Sequence, residues 1–402
     1  MLPPLLFLAH RIPFPPNKGD KLRSFNLLRY LSRRYRIHLA TFIDDPADAV
    51  HIPRLSEWCE SVCCEPLSPS RAKLGSLRGL ATGEALSLPY YRSRKLARWI
   101  DEQVTHQRIR HALVFSSSMA QYALAHPGLH TVVDYCDVDS AKWAAYAQQR
   151  KGAMAWIYRR EGKRLLAFER ATAAKTAAVT FVSQAESELF RELAPEVASK
   201  VATVCNGVDA SFFAPEQAPQ SPYAEDERAI VFTGAMDYWP NVDAVLWFAR
   251  EVWPSLATQH PALRFYVVGM NPAPEILALA SDPGIRVTGT VPDVRPYLAH
   301  AALAVAPLRI GRGVQNKVLE AMAMARPVVA SPEAATGIDA DADSEVIVAG
   351  SADAFVRAVD ALLADAACAA RIGAAARQRI LNQYSWDASL SRLDPLFESL
   401  PQ

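Results

Sequence analysis

The sequence has almost no charge imbalance, no long hydrophobic run and few cysteines, and each shortage closes off a class of function. Its 43 Lys+Arg stand against 42 Asp+Glu, a formal net charge of +1. Dedicated nucleic-acid binders carry a strongly basic balance, so no nucleic-acid partner is expected. No stretch of about 18 consecutive apolar residues occurs, the length a membrane-spanning helix needs. The run after His111 is broken by Ser116–Ser118, His126 and Pro127. Met1–Ala9 is apolar but short, holds Pro3 and Pro4 and has no positive lead-in, which fits a first buried strand better than a signal peptide. A cytoplasmic protein is therefore expected. Six cysteines in 402 residues make no disulfide framework. Cys59, Cys63 and Cys64 lack the second ligand pair of a zinc site, so no metal and no resident cofactor are expected.

What is present is apolar surface: half of the residues are hydrophobic. A chain of this length exceeds what one core serves, so two domains are expected. Short β-branched or apolar runs alternate with helix-period segments, the pattern of a parallel sheet with crossover helices. In the first half the runs are Leu5–Ala9, Ile37–Phe42, Ala112–Phe115, Thr131–Asp134, Ala178–Val182 and Val201–Val204, with amphipathic helices such as Lys21–Arg34 and Lys163–Ala174 between them. In the second half they are Ala229–Thr233, Phe265–Val268, Ile285–Val287, Leu303–Ala306, Val328–Ala330 and Val346–Val348. Phe212–Glu227, with three prolines and no periodic apolar face, reads as the linker. The expected division is residues 1–205, a linker at 206–227, a second domain at 228–383 and a segment at 384–402 docking back on the first. Tyr384-Ser385-Trp386 places two aromatics at a break there.

The richest segment is Ala306–Ala330, APLRIGRGVQNKVLEAMAMARPVVA. A strand leads into a loop with Gly311 and Gly313, and a helix is expected over Val314–Ala325. Glycine-bearing backbone entering a helix N-terminus suits an anion, because free N–H groups and the dipole both favour negative charge. Arg309, Arg312 and Lys317 crowd three cations at that end, where a bound phosphate would relieve them. Glu320 lies one turn on, on an otherwise apolar helix, and suits sugar hydroxyls.

This stretch resembles the signature of retaining glycosyltransferases of family 4, whose second glutamate, in an E-A-M-A context, binds the nucleotide ribose. Glu320-Ala321-Met322-Ala323 matches it, and Asn206-Gly207-Val208-Asp209 matches the N-G-V-D run that ends the N-terminal domain in many members. The segments from Phe232 to Asn241, Gln315 to Glu320 and Asp137 to Ser140 look like the branch associated with exosortase and PEP-CTERM exopolysaccharide loci. The implied fold is α/β, two Rossmann-like doubly wound domains facing a central cleft (GT-B). The implied reaction is retaining transfer of a hexose from a nucleotide diphosphate sugar, without an obligatory metal, to a glycan or lipid-linked glycan.

Three departures from the family stand out. Arg312 occupies the position of the first glutamate, eight before Glu320. Ala235 and the Pro240-Asn241 region replace the Arg and Lys that hold the donor diphosphate. Asn17-Lys18-Gly19-Asp20-Lys21 stands where the family has a double glycine. Read with these departures, catalytic roles are expected for Asp137, Arg312, Lys317 and Glu320. Donor contacts are expected from Gly19, Asp20, Lys21, Gly234, Asp237, Arg309, Gly313, Val314, Gln315, Asn316 and Glu320. Arg309, Arg312 and Lys317 would supply the missing cations. On the acceptor side stand His10, Arg11, Asp137 and Asp139, with Asp137 orienting the acceptor hydroxyl; capping of the following helix is the plainer role for either aspartate. Glu161 and Glu169, among Arg159, Arg160, Lys163, Arg164 and Arg170, read as a salt-bridged solvated helix face. Two rival functions share the same shape: a non-catalytic scaffold and a sugar-nucleotide epimerase.

The neutral total conceals two halves. Residues 1–205 hold 29 Lys+Arg and 19 Asp+Glu, whereas residues 206–402 hold 14 and 23. Lys18–Arg36 and Arg71–Arg98 interleave cations with Leu, Phe, Tyr and Trp, which suits contact with an anionic inner-membrane face.

Overall fold

The computed structural model describes residues 2–16, 19–148, 151–310 and 314–398. It divides into two compact units. One runs to Cys205 and takes in the chain again from Leu390; the other spans Asn206–Ser389. Among the described residues no helix is long and apolar enough to cross a membrane, and all six cysteines are free thiols.

The first unit is built on seven strands: β1 (Pro4–Ala9), β2 (Arg36–Ile43), β3 (Cys59–Pro66), β4 (His111–Phe115), β5 (His130–Cys136), β6 (Ala178–Phe181) and β7 (Val201–Thr203). They form one parallel sheet in the order β3-β2-β1-β4-β5-β6-β7. Helices cover both faces, so the inner strands are buried throughout and read as continuous apolar runs. Edge strand β3 buries only Cys59 and Cys63 of CESVCCEP. Its polar and cysteine-rich sequence carries no apolar run, and so it is absent from the strands expected above. The strand order reverses between β1 and β4, which puts the carboxyl ends of the strands there at a topological switch point.

Two helices of this unit depart from expectation. The Gly19–Ser32 helix turns Lys21 and Arg23 inward, 1% and 2% exposed. Lys21 Nζ donates to Asp48 at 2.5 Å, and Arg23 grips Asp134 through Nε at 2.7 Å and the Val204 carbonyl through Nη2 at 2.8 Å. The cations of Lys18–Arg36 are therefore partly internal to the fold and not all free for a membrane; Lys18 itself lies outside the described residues. The Gly152–Lys175 helix buries Glu161 and Glu169 in place of the salt-bridged face expected of them. Glu161 accepts the Leu86 and Ser87 amides, tying down the start of a neighbouring helix. Glu169 accepts from Ser140 Oγ at 2.5 Å while its other oxygen has no partner, and burial pushes its carboxyl up to about 8. A carboxyl protonated in the folded chain and ionised in the unfolded one stabilises below its unfolded value, and that contribution is lost as pH rises toward the folded one. Stability should therefore decline between about pH 4.5 and 8, and Glu169→Gln should flatten that decline in urea melts run across the range.

The second unit carries β8 (Arg228–Thr233), β9 (Leu263–Val268), β10 (Ile285–Gly289), β11 (Leu303–Ala306), β12 (Val328–Ala330) and β13 (Ile347–Val348), again all parallel, in the order β10-β9-β8-β11-β12-β13. Its switch point lies between β8 and β11. The proline-rich segment after Asn206 belongs to this unit, with Phe213, Ala218 and Tyr223 packed on its core. Tyr384-Ser385-Trp386 lies along Val208, whose amide donates to the Tyr384 carbonyl at 2.7 Å. A Cβ on Gly207 would sit 2.6 Å from Trp386 Cα, so the N-G-V-D glycine is where two backbones meet. From Leu390 the chain joins the first unit: Tyr30 Oη donates to Asp394 at 2.8 Å, and the Leu396 carbonyl accepts from the His130 ring at 2.7 Å.

Candidate functional site

In an open parallel sheet the free backbone groups beyond the carboxyl ends of the strands converge at the switch point, where ligands bind. In the second unit a cavity of about 580 Å³ occupies that position. Its walls come from the turns that follow four strands: Gly234 and Ala235 after β8, Gly269 and Met270 after β9, Thr290–Val294 after β10, and Val314–Lys317 with Glu320 beyond β11. Gly234 and Gly269 let the first two turns interlock, because a Cβ on Gly269 would fall 1.6 Å from the Gly234 carbonyl oxygen. Gly269→Ala is accordingly expected to cost more than about 3 kcal/mol, read by chemical denaturation, through displacement of backbone that no side chain can yield to.

The helix N-terminal to the cavity is Asn316–Ala323, two residues shorter at each end than the expected Val314–Ala325, with Gln315 at its N-cap. Its apolar residues Val318, Leu319 and Met322 are buried, which turns Lys317 and Glu320 to the cavity. Lys317 Nζ donates to Asn241 Oδ1 and lies 4.2 Å from the centre of the Phe232 ring. Asn241 is itself oriented, its Nδ2 donating to the Ala235 carbonyl at 2.8 Å. The ammonium thus sits against the Gly234 turn, 3.2 Å from where a Cβ of Gly234 would be. Burial pushes Lys317 down to about 7 against the pull of Glu320, and pushes Glu320 up to about 7 against Lys317. Desolvation thus disfavours the charge on both groups, and shifts of this kind cluster at functional sites.

Other residues singled out in the sequence are placed differently. Val314, Gln315 and Asn316 line the cavity with Gly234. Arg309 is exposed and bound by two hydrogen bonds to Asp243, at 2.9 and 2.5 Å, and is not among the residues lining the cavity. Of the expected cations among the described residues, Lys317 lines the cavity, and Arg309→Ala should change nucleotide affinity by less than about twofold, as exposed ion pairs contribute little. Asp237 accepts from Asn271 Nδ2 at 3.1 Å and is likewise absent from the lining. Arg312 and Gly313 lie outside the described residues. Four cavity features carried no sequence signal that was used: Phe212 in the supposed linker, Met270, the Thr290–Val294 turn, and Asn241 as a partner for a lysine 76 residues on.

In the first unit His10, Arg11, Asp137 and Asp139 follow β1 and β5. His10 stacks on Phe115 at 5.5 Å with its Nδ1 buried and without a partner. Arg11 donates to Asp20 at 2.6 Å and bridges to Asp44 at 2.8 Å. Gly19 and Asp20 open the first helix, while Lys21 is closed inside against Asp48, a structural contact in place of the phosphate contact expected. Lys142 Nζ holds Asp137 at 2.7 Å and Asp139 at 3.2 Å. Burial raises the Asp139 carboxyl although Lys142 opposes it.

Residues 227–365 match the family model for glycosyl transferases group 1, a stretch that includes the cavity's strands and the Glu320 helix. No curated protein matches the chain. Sucrose-phosphate synthase from Thermosynechococcus elongatus is 16% identical, with 98% of each chain covered and a TM-score of 0.66. HepE from Anabaena, solved in complex with UDP, is 15% identical over 99% of this chain and 100% of its own, with a TM-score of 0.67. WaaG, a glycosyltransferase involved in lipopolysaccharide biosynthesis, is 17% identical over 98% of this chain and 99% of its own, with a TM-score of 0.62. The fold is GT-B, with two Rossmann-like domains.

Proposed function

We propose that this chain is a retaining glycosyltransferase that moves a hexose from a nucleotide diphosphate sugar to a glycan or lipid-linked glycan in exopolysaccharide biosynthesis, at the cytoplasmic membrane face. The observation that carries the reading is Lys317 Nζ, anchored by Asn241 at the Gly234 turn with Glu320 one helical turn away in the same cavity. The match of residues 227–365 and the UDP bound by HepE support a nucleotide in this cavity.

In this reading the donor diphosphate lies between Lys317 and the N-terminus of the Asn316–Ala323 helix. Negative charge builds on the diphosphate as the bond to the sugar breaks, so a preorganised ammonium and helix terminus stabilise the transition state more than the ground state. Glu320 takes the ribose hydroxyls. The base lies along the Thr290–Val294 turn. The donor is substrate, and the reading includes no resident cofactor. On the acceptor side, Asp137, steadied by Lys142, orients the incoming hydroxyl, with Asp139, His10 and Arg11 near the same strand ends.

The test is turnover of a panel of nucleotide sugars with glycan and lipid-linked glycan acceptors, with the products identified and their anomeric configuration assigned. A glycosylated acceptor of retained configuration supports the reading. Inverted product, an isomerised nucleotide sugar formed without acceptor, or binding with no turnover on any pair contradicts it, the last two in favour of an epimerase and a scaffold respectively.

A further inference from the structure

Several cations of the first half are paired with acids, two of them inside the fold. Lys21 and Arg23 are buried in ion pairs, Arg36 pairs with Glu60, Arg92 with Glu84, and Lys95 with Glu65. One area of the first unit keeps its charge. The helices Pro69–Ser76 and Arg78–Thr82 run on through Leu77, which is itself in helical conformation. Ser76 and Gly79 face inward, whereas Leu74, Leu77 and Leu80, at three-residue intervals, are 72%, 50% and 40% exposed. Arg71, Lys73 and Arg78 stand exposed among them, and residues 68–83 hold no acidic residue.

Beside this stretch the Gly152–Lys175 helix presents a groove lined by Trp156, Arg159, Arg160, Lys163 and Arg164, with Trp156 56% exposed. Arg160 joins the two areas by donating to the Gly79 carbonyl at 2.5 Å and the Glu84 carbonyl at 3.1 Å. The acids nearby are turned to other uses: Glu161 is buried against the Leu86 and Ser87 amides, and Glu84 is paired with Arg92. Among the described residues no ion pair involves Arg71, Lys73, Arg78, Arg159 or Lys163.

Scattered exposed leucines need no explanation, but three in register beside a tryptophan and five uncancelled cations form a patch. A soluble polyanion would use the cations and leave the leucines in water. A bilayer of anionic phospholipid uses both, since arginine and lysine meet headgroup phosphates while leucine enters the interface and tryptophan rests at headgroup depth. We propose that this face of the first unit docks onto an anionic phospholipid bilayer through the three leucines, Trp156 and the five cations. The proposal rests on and deepens the membrane placement in the transferase reading, and it is tested without donor or turnover, so the transfer reaction and the docking can each fail alone.

The full-length chain is co-sedimented with vesicles of phosphatidylcholine alone or with phosphatidylglycerol added. Binding is expected only to the anionic vesicles and is expected to weaken with salt. Each cation near the surface contributes about fivefold in partition, so R71E/K73E/R78E should reduce it by at least about 100-fold. L74S/L77S should weaken binding even at low salt. R94E/R98E, on a different helix, should leave it unchanged, and every variant should keep the parent's thermal midpoint and nucleotide affinity. No binding by the parent at low salt overturns the proposal, as does parent-like binding by R71E/K73E/R78E. An unaffected L74S/L77S variant overturns it in favour of a site for soluble polyanions, and an equal loss in R94E/R98E overturns the location.

Discussion

Lys317→Met is expected to weaken binding of the nucleotide diphosphate by about 100-fold, since truncating one member of a buried, hydrogen-bonded charge pair costs 2–5 kcal/mol or more. Methionine keeps the aliphatic stem against Phe232 and removes only the charge. The effect is large because the ammonium is already placed: Asn241 holds it, and the Ala235 carbonyl holds Asn241. This placement desolvates the ammonium, which brings Lys317 down to about 7. A dianionic ligand restores the charged form. Affinity in the parent should therefore fall above about pH 7 as the free lysine loses its proton, and this alkaline limb should be missing from Lys317→Met when binding is followed calorimetrically across pH.

Glu320→Gln is expected to lower kcat/KM by about 10- to 100-fold, the range for a hydrogen bond to an ionised group of 1.5–3 kcal/mol. Glutamine keeps the shape and can still accept one hydrogen bond, so the loss reports the carboxylate. Burial brings this carboxyl up to about 7, and in the proposed reading it accepts a ribose hydroxyl in its ionised form. Its contribution should then fade as pH drops below about 7. Parent affinity should peak near neutrality, with Glu320→Gln losing the acid limb and Lys317→Met the alkaline one.

The parallel architecture was legible because buried strands such as Leu303–Ala306 and Val328–Ala330 are unbroken apolar runs, and both lie where the sequence placed them. Strand β3 was not, because an edge strand satisfies its backbone by pairing with β2 while its side chains stay mixed in polarity. Within the site, Lys317 and Glu320 were legible because a lysine and a glutamate three apart on an apolar helix share its one polar side. Asn241 as the lysine's anchor was not, since nothing local links it to a helix so far along the chain. Lys21 and Glu161 show the converse. Their charge and periodicity suggest surface residues, and only the partners Asp48 and the Leu86–Ser87 amides reveal why each is buried. Charge counts likewise gave a basic first half, while the pairing of its cations decided which part of it faces outward.

The most direct measurement is isothermal titration of the full-length chain with a panel of nucleoside diphosphates, repeated on Lys317→Met and Arg309→Ala. One diphosphate should bind the parent and Arg309→Ala alike and bind Lys317→Met about 100-fold more weakly. Binding of none of them, or parent-like binding by Lys317→Met, would contradict a donor held at this cavity.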